Sequence, residues 1–597
     1  MPQTPRAVVV GAGLGGLATA VRLLRQGWDV TVVERRAQAG GRAGQIRDGG
    51  YTWDAGPSLI TMPWLLDELF EIGGSRLADE LRLHPLDPFY RIHWDGEPRH
   101  FDFQAGREGM AGEIAKFSVP DAARYDDFMA ASGRIYERGI LVAGRKPFLS
   151  ALEFARLVPS MVRLNAVRTL RGFCGIYFKE EHVRQAFDFQ AGREGMTAEI
   201  AKFSVPDAAR YDDFMTASGR IYERGILVAG RKPFLSALEF ARLVPTMVRL
   251  NAVRTLRGFC GIYFKEEHVR QAFDFHSLFI GGDPFRVPAI YTALSYLQVA
   301  EGVWYAKGGV YSLVTALARL VERGGGTIRT GESVIAIETA GRRVSGVRTD
   351  TGERLPADIV VSNADVTLTR DALLSGDGLQ EPLPWRLRRM RQTMSCYLLY
   401  LGTTRQYPKL LHHTLIVGQD YRGFISDVIR RRRVSDTICL YIHTPSRTEP
   451  SMAAPGGDSL TILLPVPNLR SGDDWTVRGP ELRDRIVTYL EHDFGLEGLS
   501  SSIAVEHAFT PADFASELWA TDGNAFGVEP LLWQSAYFRQ PNRDRVVGGL
   551  YYVGAGTHPG GGIPGVILGA QVTAGVIAAD RWTGRLPVDG PVAGRCG

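Results

Sequence analysis

Short β-branched runs and helical apolar spacing alternate at the start of the chain. Ala7–Val10 is a continuous apolar run of strand length, apolar residues from Leu14 to Leu24 recur at helical spacing, and Val30–Val33 is a second β-branched run ending at Glu34. Together they predict one β-α-β unit. Farther along, Tyr311–Arg323 has helical spacing, and Val334–Ile337 and Val344–Val347 read as hairpin strands turning at Gly341-Arg342. Ile359–Ala364 returns to the first unit, and Val566–Ala579 is an apolar helix behind a glycine-rich loop. Tyr90–Trp94, Leu398–Leu401, Thr414–Val417 and Thr461–Leu464 are further candidate strands. No uncharged apolar run reaches the ~18 residues that span a bilayer, so any membrane contact is expected to be peripheral.

The middle of the chain repeats itself. Phe101–Ala186 recurs as Phe187–Ala272 with four differences, Ala111/Thr197, Gly112/Ala198, Ala130/Thr216 and Ser160/Thr246. Phe-Asp-Phe begins each copy and follows the second, at 101, 187 and 273, a plausible crossover point for tandem duplication. Two copies do not make a solenoid. Either copy, or the front of the first joined to the back of the second, fits the flanking pattern. Each copy carries a basic amphipathic stretch, Phe154–Arg171 and Phe240–Arg257, suited either to a lipid headgroup layer or to a solvated face. Pro159 argues against one continuous helix there.

Between the first strand and helix, Gly11, Gly13 and Gly16 stand in G-x-G-x-x-G spacing, with Gly15 inside the same loop. Gly11 allows the tight turn, Gly13 lets backbone approach a pyrophosphate, and Gly16 lets helix and strand pack closely. The helix N-terminus favours an anion through its free N–H groups and dipole. Glu34 lies 18 residues beyond Gly16, near the roughly 20 expected of a carboxylate that holds a ribose hydroxyl. The unit is therefore a dinucleotide-binding fingerprint in its full context.

The bulk numbers narrow the class. At 597 residues, 45% hydrophobic and 22% charged, the chain is globular and too long for one ordinary core. A net charge of +4 gives no reason to expect nucleic acid. Five cysteines without C-x-x-C spacing read as reduced cytosolic thiols, and no cluster has metal-ligand spacing. The first strand begins so early that no signal peptide is expected. Nucleophile elbow and P-loop motifs are missing, so hydrolysis and phosphoryl transfer lack their parts. Arg430–Arg433 reads as a solvated turn.

Three further segments give the dinucleotide an identity. Arg35–Gly44 is a glycine-rich loop in which Arg35, Gly41 and Arg42 follow the Glu34 strand, and it resembles the second phosphate clamp of the flavoprotein group that includes amine oxidases and carotenoid desaturases. Asp54-Ala55-Gly56-Pro57 is similar to the D-x-G-P segment those enzymes place near the flavin. Gly554-Ala555-Gly556-Thr557-His558-Pro559 through Gly565, with the other two and with Leu86–Tyr90, Tyr441–Ser446 and Asn524–Gly527, resembles the bacterial-type phytoene desaturase family over the whole chain except one copy of the repeat.

The resemblance implies an α/β fold, a Rossmann-type FAD-binding domain of the amine-oxidase-like group with an interleaved α+β substrate and membrane-contact domain. The expected division is 1–100 for the first part of the FAD domain, 101–186 and 187–272 for the two copies, 273–365 for the return, 366–540 for a β-rich substrate domain and 541–597 for the end of the FAD domain. It further implies FAD as cofactor, with Asp54, Gly56, Pro57, Gly554, Gly556 and Gly565 near it and backbone at Val334 beside the adenine. The implied reaction is desaturation of phytoene or a related acyclic polyisoprenoid by hydride transfer to flavin at a membrane surface, with quinone or oxygen as final acceptor. A hydroxycarotenoid or thirty-carbon diapophytoene desaturase, an amine or porphyrinogen oxidase, and a non-catalytic prenyl-binding escort are the alternatives. No catalytic base is identified; His558 is a weak candidate, and His276 and Glu301 flank the expected substrate region. The expected location is cytoplasmic and peripheral to a membrane.

Overall fold

The computed structural model describes residues 4–98, 100–102, 301–375, 388–535 and 538–583, and between 204 and 298 the stretches 254–263 and 274–288 with isolated positions around them. The first copy of the repeat beyond Asp102 and most of the Phe240–Arg257 stretch lie outside the described residues.

A five-stranded parallel sheet holds β1 (Arg6–Val10), β2 (Asp29–Glu34), β9 (Thr327–Thr330), β13 (Ile359–Ser362) and β20 (Leu550–Tyr552). Its spatial order is β20-β13-β1-β2-β9, the doubly wound arrangement in which strand order reverses beside the first strand. Its central strands are apolar on both faces because helices cover one face and the four-stranded sheet built around Val334–Ala340 and Arg343–Thr349 covers the other. α1 (Leu14–Arg25) runs from the first glycine loop, and α2 (Pro63–Ile72), α3 (Tyr311–Arg323) and α4 (Ile563–Trp582) add to the helical layers. α4 is long and apolar enough to cross a membrane, yet most of it is buried inside the protein, including Ile567, Leu568 and Ile577.

Two small antiparallel pairs, β3 (Gln45–Asp48) with β4 (Tyr51–Asp54) and β5 (Leu83–Pro85) with β8 (Trp304–Ala306), tie loops to this core. A four-stranded sheet combines β10 (Val334–Ala340), β11 (Arg343–Thr349), β12 (Arg354–Pro356) and β14 (Leu374–Ser375). The expected hairpin is its centre.

The second large sheet has seven strands. β6 (Arg91–Trp94), β7 (His100–Asp102), β15 (Ser395–Thr403), β16 (His413–Val417), β17 (Leu440–His443), β18 (Asp458–Val466) and β19 (Ile503–Phe509) run in the order β19-β15-β18-β17-β16-β6-β7. All its pairs are antiparallel except β16 with β6. This corrects the expected division: residues 91–100 belong to the sheet of the β-rich domain, because β6 pairs with β16, more than 300 residues away in sequence.

Among the described residues both copies contribute to the fold. The front of the first copy supplies the end of β7, where the Asp102 carboxylate accepts from Nε and Nη2 of Arg91, each at 2.6 Å. The core then takes Tyr211, Phe214, Phe259 and Cys260, all fully buried, from the second copy. Arg430, Arg431 and Arg433 are exposed, in keeping with the solvated reading, but the run begins at the end of a helix and its cations are paired. Arg430 bonds the buried Asp283 at 2.8 Å, while Arg431 and Arg433 hold Asp427.

Candidate functional site: a glycine-lined cleft opening into an apolar cavity

The site is built where strand order reverses, between β1 and β13. Gly11 has φ +97°, a left-handed backbone that only glycine adopts without strain, and a Cβ at Gly16 would stand 2.1 Å from the Gly11 carbonyl oxygen. Helix and strand therefore touch backbone to backbone. Across the switch point, Asn363 follows β13, and Cβ atoms at Gly13 and Gly15 would meet its side chain at 2.8 and 2.6 Å. The Asn363 Oδ1 is buried with no hydrogen-bond partner. α1 begins at Gly13 without a side-chain cap, leaving its first N–H groups to an outside acceptor.

Glu34 closes β2. Its Oε2 accepts from the Ala12 N–H at 2.8 Å and its Oε1 from the Arg36 N–H at 3.0 Å. Each oxygen keeps a second acceptor site, so the carboxylate is fixed in place and still able to take a hydroxyl. Arg35 leans outward, its guanidinium 4.5 Å from the Trp519 ring.

The second glycine loop lies against the first through the Gly40 N–H, which donates to the Ala12 carbonyl at 2.9 Å. Arg42 is held there with its Nε buried and unpartnered. Burial lowers its pKa from the ordinary arginine value, and the charge of Asp365 opposes that only in part. A desolvated cation short of a counter-charge, beside a bare helix N-terminus, is a receptor for a diphosphate. Gly56 closes on the same residue, since a Cβ there would lie 2.0 Å from the Arg42 carbonyl oxygen.

The C-terminal loop completes the cleft. Gly554 (φ +115°) approaches Asn363, and a Cβ at Gly565 would lie 2.7 Å from the Gly560 carbonyl oxygen. His558 is buried on the wall, and its carbonyl accepts from Asn542 at 3.2 Å. Arg539 is nearly fully buried beside Gly560, donates to the Val528 carbonyl at 2.9 Å and keeps an unpartnered Nε. Sequence reasoning missed both Arg539 and Asn363; neither lies in a glycine loop, and the only signal for Asn363 was its place just after β13.

These parts line one cavity of about 820 Å³. Gly11, Gly13, Gly15, Glu34, Arg35, Gly41, Arg42, Gly56, Pro57, Val334, Gly554, His558 and Gly565 all lie on its wall. Away from the glycines the wall turns apolar, with Leu278, Phe279, Leu294, Leu415, Leu440 and Leu463.

Three expected cofactor residues stand outside the described wall. Gly16 is the helix-strand contact already noted, and Gly556 packs towards Val366. Asp54 turns its carboxylate to the start of α3, accepting from the N–H groups of Val310 at 2.9 Å and Tyr311 at 3.3 Å. Burial pushes its pKa up to about 7 against those two bonds. Asp54 thus supports the Ala55–Ser58 wall from behind. His276 is also outside the wall, fully buried with its Nε2 2.6 Å from the Tyr90 hydroxyl, and Glu301 accepts from the Trp64 indole at 2.7 Å. Both serve packing rather than the cavity.

Comparison with known proteins follows this geometry. A family model described as flavin-containing amine oxidoreductase matches residues 14–201 and 177–578. The lycopene-forming phytoene desaturase of Pantoea ananas is 34% identical over 573 residues, covering 96% of this chain and 99% of that one. The zeta-carotene-forming phytoene desaturase of Myxococcus xanthus is 31% identical over 605 residues, covering 99% of each. A putrescine oxidase triple mutant of known structure aligns with a TM-score of 0.54 at 14% identity over 96% of this chain and 99% of that one, a likeness of fold.

Proposed function

The chain belongs to the flavin-containing amine oxidoreductase family, and from that premise we propose that it is an FAD-dependent carotenoid desaturase acting on phytoene or a related acyclic carotenoid. Its relatives include phytoene desaturases that form lycopene and zeta-carotene. The observation that carries the reading is the single cavity, which starts at phosphate-binding glycines and continues into an aliphatic and aromatic wall.

The glycine loops, Arg42 and the α1 N-terminus hold the diphosphate, Glu34 takes the ribose, and the Val334 backbone borders the adenine. Bound there, FAD would supply the two-electron acceptor for a hydride from an allylic carbon of the polyene. Leu278, Phe279, Leu294, Leu415, Leu440 and Leu463 exclude water from a substrate that has no polar handle. His558 serves packing against the cofactor.

Phytoene partitions into bilayers, so we place the enzyme on a cytoplasmic membrane surface as a peripheral protein. Trp533, 58% exposed next to the cavity-lining Leu532, supports that placement as an aromatic side chain available to a lipid surface. Buried free thiols at Cys396 and Cys439 suit a reducing compartment. Quinone or oxygen reoxidises the flavin, since the sequence carries one dinucleotide fingerprint, at Gly11–Gly16. The test is pigment analysis of phytoene-accumulating cells expressing the chain. Coloured carotenoids are expected; colourless cells containing intact, flavin-bearing protein would overturn the reading.

A further inference from the structure

Behind the apolar wall lies a row of polar side chains on the seven-stranded sheet. His413 on β16 and His443 on β17 are cross-strand partners, and Thr461 on β18 continues the row on the same face. His412 packs beside them, its ring centroid 4.5 Å from that of His413 and 5.0 Å from that of His443. All three imidazoles are buried, and one nitrogen of each comes within 4.8 Å of the others.

Hydrogen bonds connect this row to the cavity on one side and the surface on the other. Ser58 Oγ and Tyr441 hydroxyl, both on the cavity wall, are 2.5 Å apart, and the Tyr441 hydroxyl is 2.7 Å from His413 Nδ1. His443 Nε2 is 3.3 Å from His412 Nε2, and His412 Nδ1 is 2.6 Å from the Oγ1 of the half-buried Thr448. Between the two halves, His413 Nε2, His443 Nδ1 and Thr461 Oγ1 are buried without partners. A water placed among these three atoms would give each of them a partner.

Burial keeps these rings neutral. It pushes His412 down to about 3 and His413 and His443 well below the ordinary histidine value, with the neighbouring imidazoles adding to it for the latter two. A neutral imidazole has one acceptor and one donor nitrogen, so it takes a proton at one and releases one at the other. Low basicity prevents the proton from resting there.

We propose that Ser58, Tyr441, His413, His443 and His412 form a proton-exit relay from the cavity to Thr448 at the surface. The inference rests on the desaturase reading. In each desaturation one allylic C–H leaves as hydride to the flavin, which gains two electrons; the adjoining C–H releases its proton, and its electron pair becomes the new C=C bond. The relay receives that proton at Ser58 and delivers one to solvent at Thr448. Its direction fixes the tautomers: Tyr441 donates to His413 Nδ1, His413 carries its hydrogen on Nε2 towards the bridging water, His443 Nε2–H donates to His412 Nε2, and His412 Nδ1–H donates to Thr448.

The test uses the full chain with FAD bound. Nitrogen NMR of histidine-labelled protein reads the tautomers without turnover: Nε2–H for His413 and His443 and Nδ1–H for His412 are expected. In anaerobic single turnover with phytoene, His413→Gln should reduce its flavin at least about a hundredfold more slowly, with unchanged flavin content and an increased solvent deuterium isotope effect. Imidazole should restore the rate to His413→Ala. Reversed tautomers, imidazolium signals, an unaltered single-turnover rate, or one equivalent of divalent metal held by the three rings would overturn the relay. Absence of desaturation by the unsubstituted, flavin-loaded chain would instead overturn the reaction reading, and the NMR result would still decide the order of donors.

Discussion

The five-stranded parallel sheet and the seven-stranded sheet meet at one cavity but build their halves of it by different means. On the parallel sheet the working groups are backbone: bare N–H groups, close approaches at Gly11, Gly16 and Gly56, and a left-handed turn. On the seven-stranded sheet they are side chains, such as Leu415, Leu440, Tyr441 and Leu463, gathered from the neighbouring strands β16, β17 and β18. Backbone chemistry needs glycine at fixed spacing and tolerates little else. Side-chain chemistry needs only that a face be apolar, which many residues satisfy.

The sharpest way to break this contrast is Gly16→Val. The added carbons meet the Gly11 carbonyl within contact distance, so folded, flavin-bearing protein should be lost altogether; a yellow, soluble variant would show that the close approach is dispensable. Asp54→Asn probes the joint between the two halves. Asp54 is raised from 3.8 to about 7, so the folded chain holds a proton that the unfolded chain has released. Stability therefore falls as pH rises from about 4 to about 7, by on the order of 3 kcal/mol from this group. Urea denaturation across that range should lose this slope in the Asn variant, and parallel curves would contradict it.

Arg42→Gln removes a cation while leaving both sheets intact. FAD titration of apoprotein should weaken by about 2 kcal/mol, roughly thirtyfold, with unchanged thermal unfolding of the apoprotein. The smallest effect is expected from deleting residues 103–188, which joins Asp102 to Phe189, the counterpart of Phe103 in the second copy. β7 and the core contributed by Tyr211, Phe214 and Phe259 are then both retained. Flavin content and midpoint of unfolding should match those of the full chain, and a large loss in either would show that the first copy contributes to the fold.

Much of the dinucleotide side was legible because its rules are local. Gly11, Gly13, Gly15, Glu34 and Arg42 lie within one stretch of sequence, and all reach the cavity wall. Asp54 was misleading for a physical reason: its loop lines the cavity, but its carboxylate satisfies the otherwise bare N–H groups at the start of α3. Arg539 and Asn363 gave little signal because their importance comes from what surrounds them, an unmet charge and a pair of glycines from another segment.

By itself, the sequence determined that a β-α-β unit binds a dinucleotide, because helix spacing, strand length and glycine placement act within about thirty residues. It also carried the repeat, but could not choose between copies whose residues are nearly identical. Only the tertiary structure decided that β7 and the buried Tyr211 and Phe214 enter one fold, that β6 pairs with β16, and that the adjacent His412 and His413 meet His443 in one buried cluster. Those outcomes depend on which distant surfaces exclude water together, and that is a property of the packed chain rather than of any stretch within it.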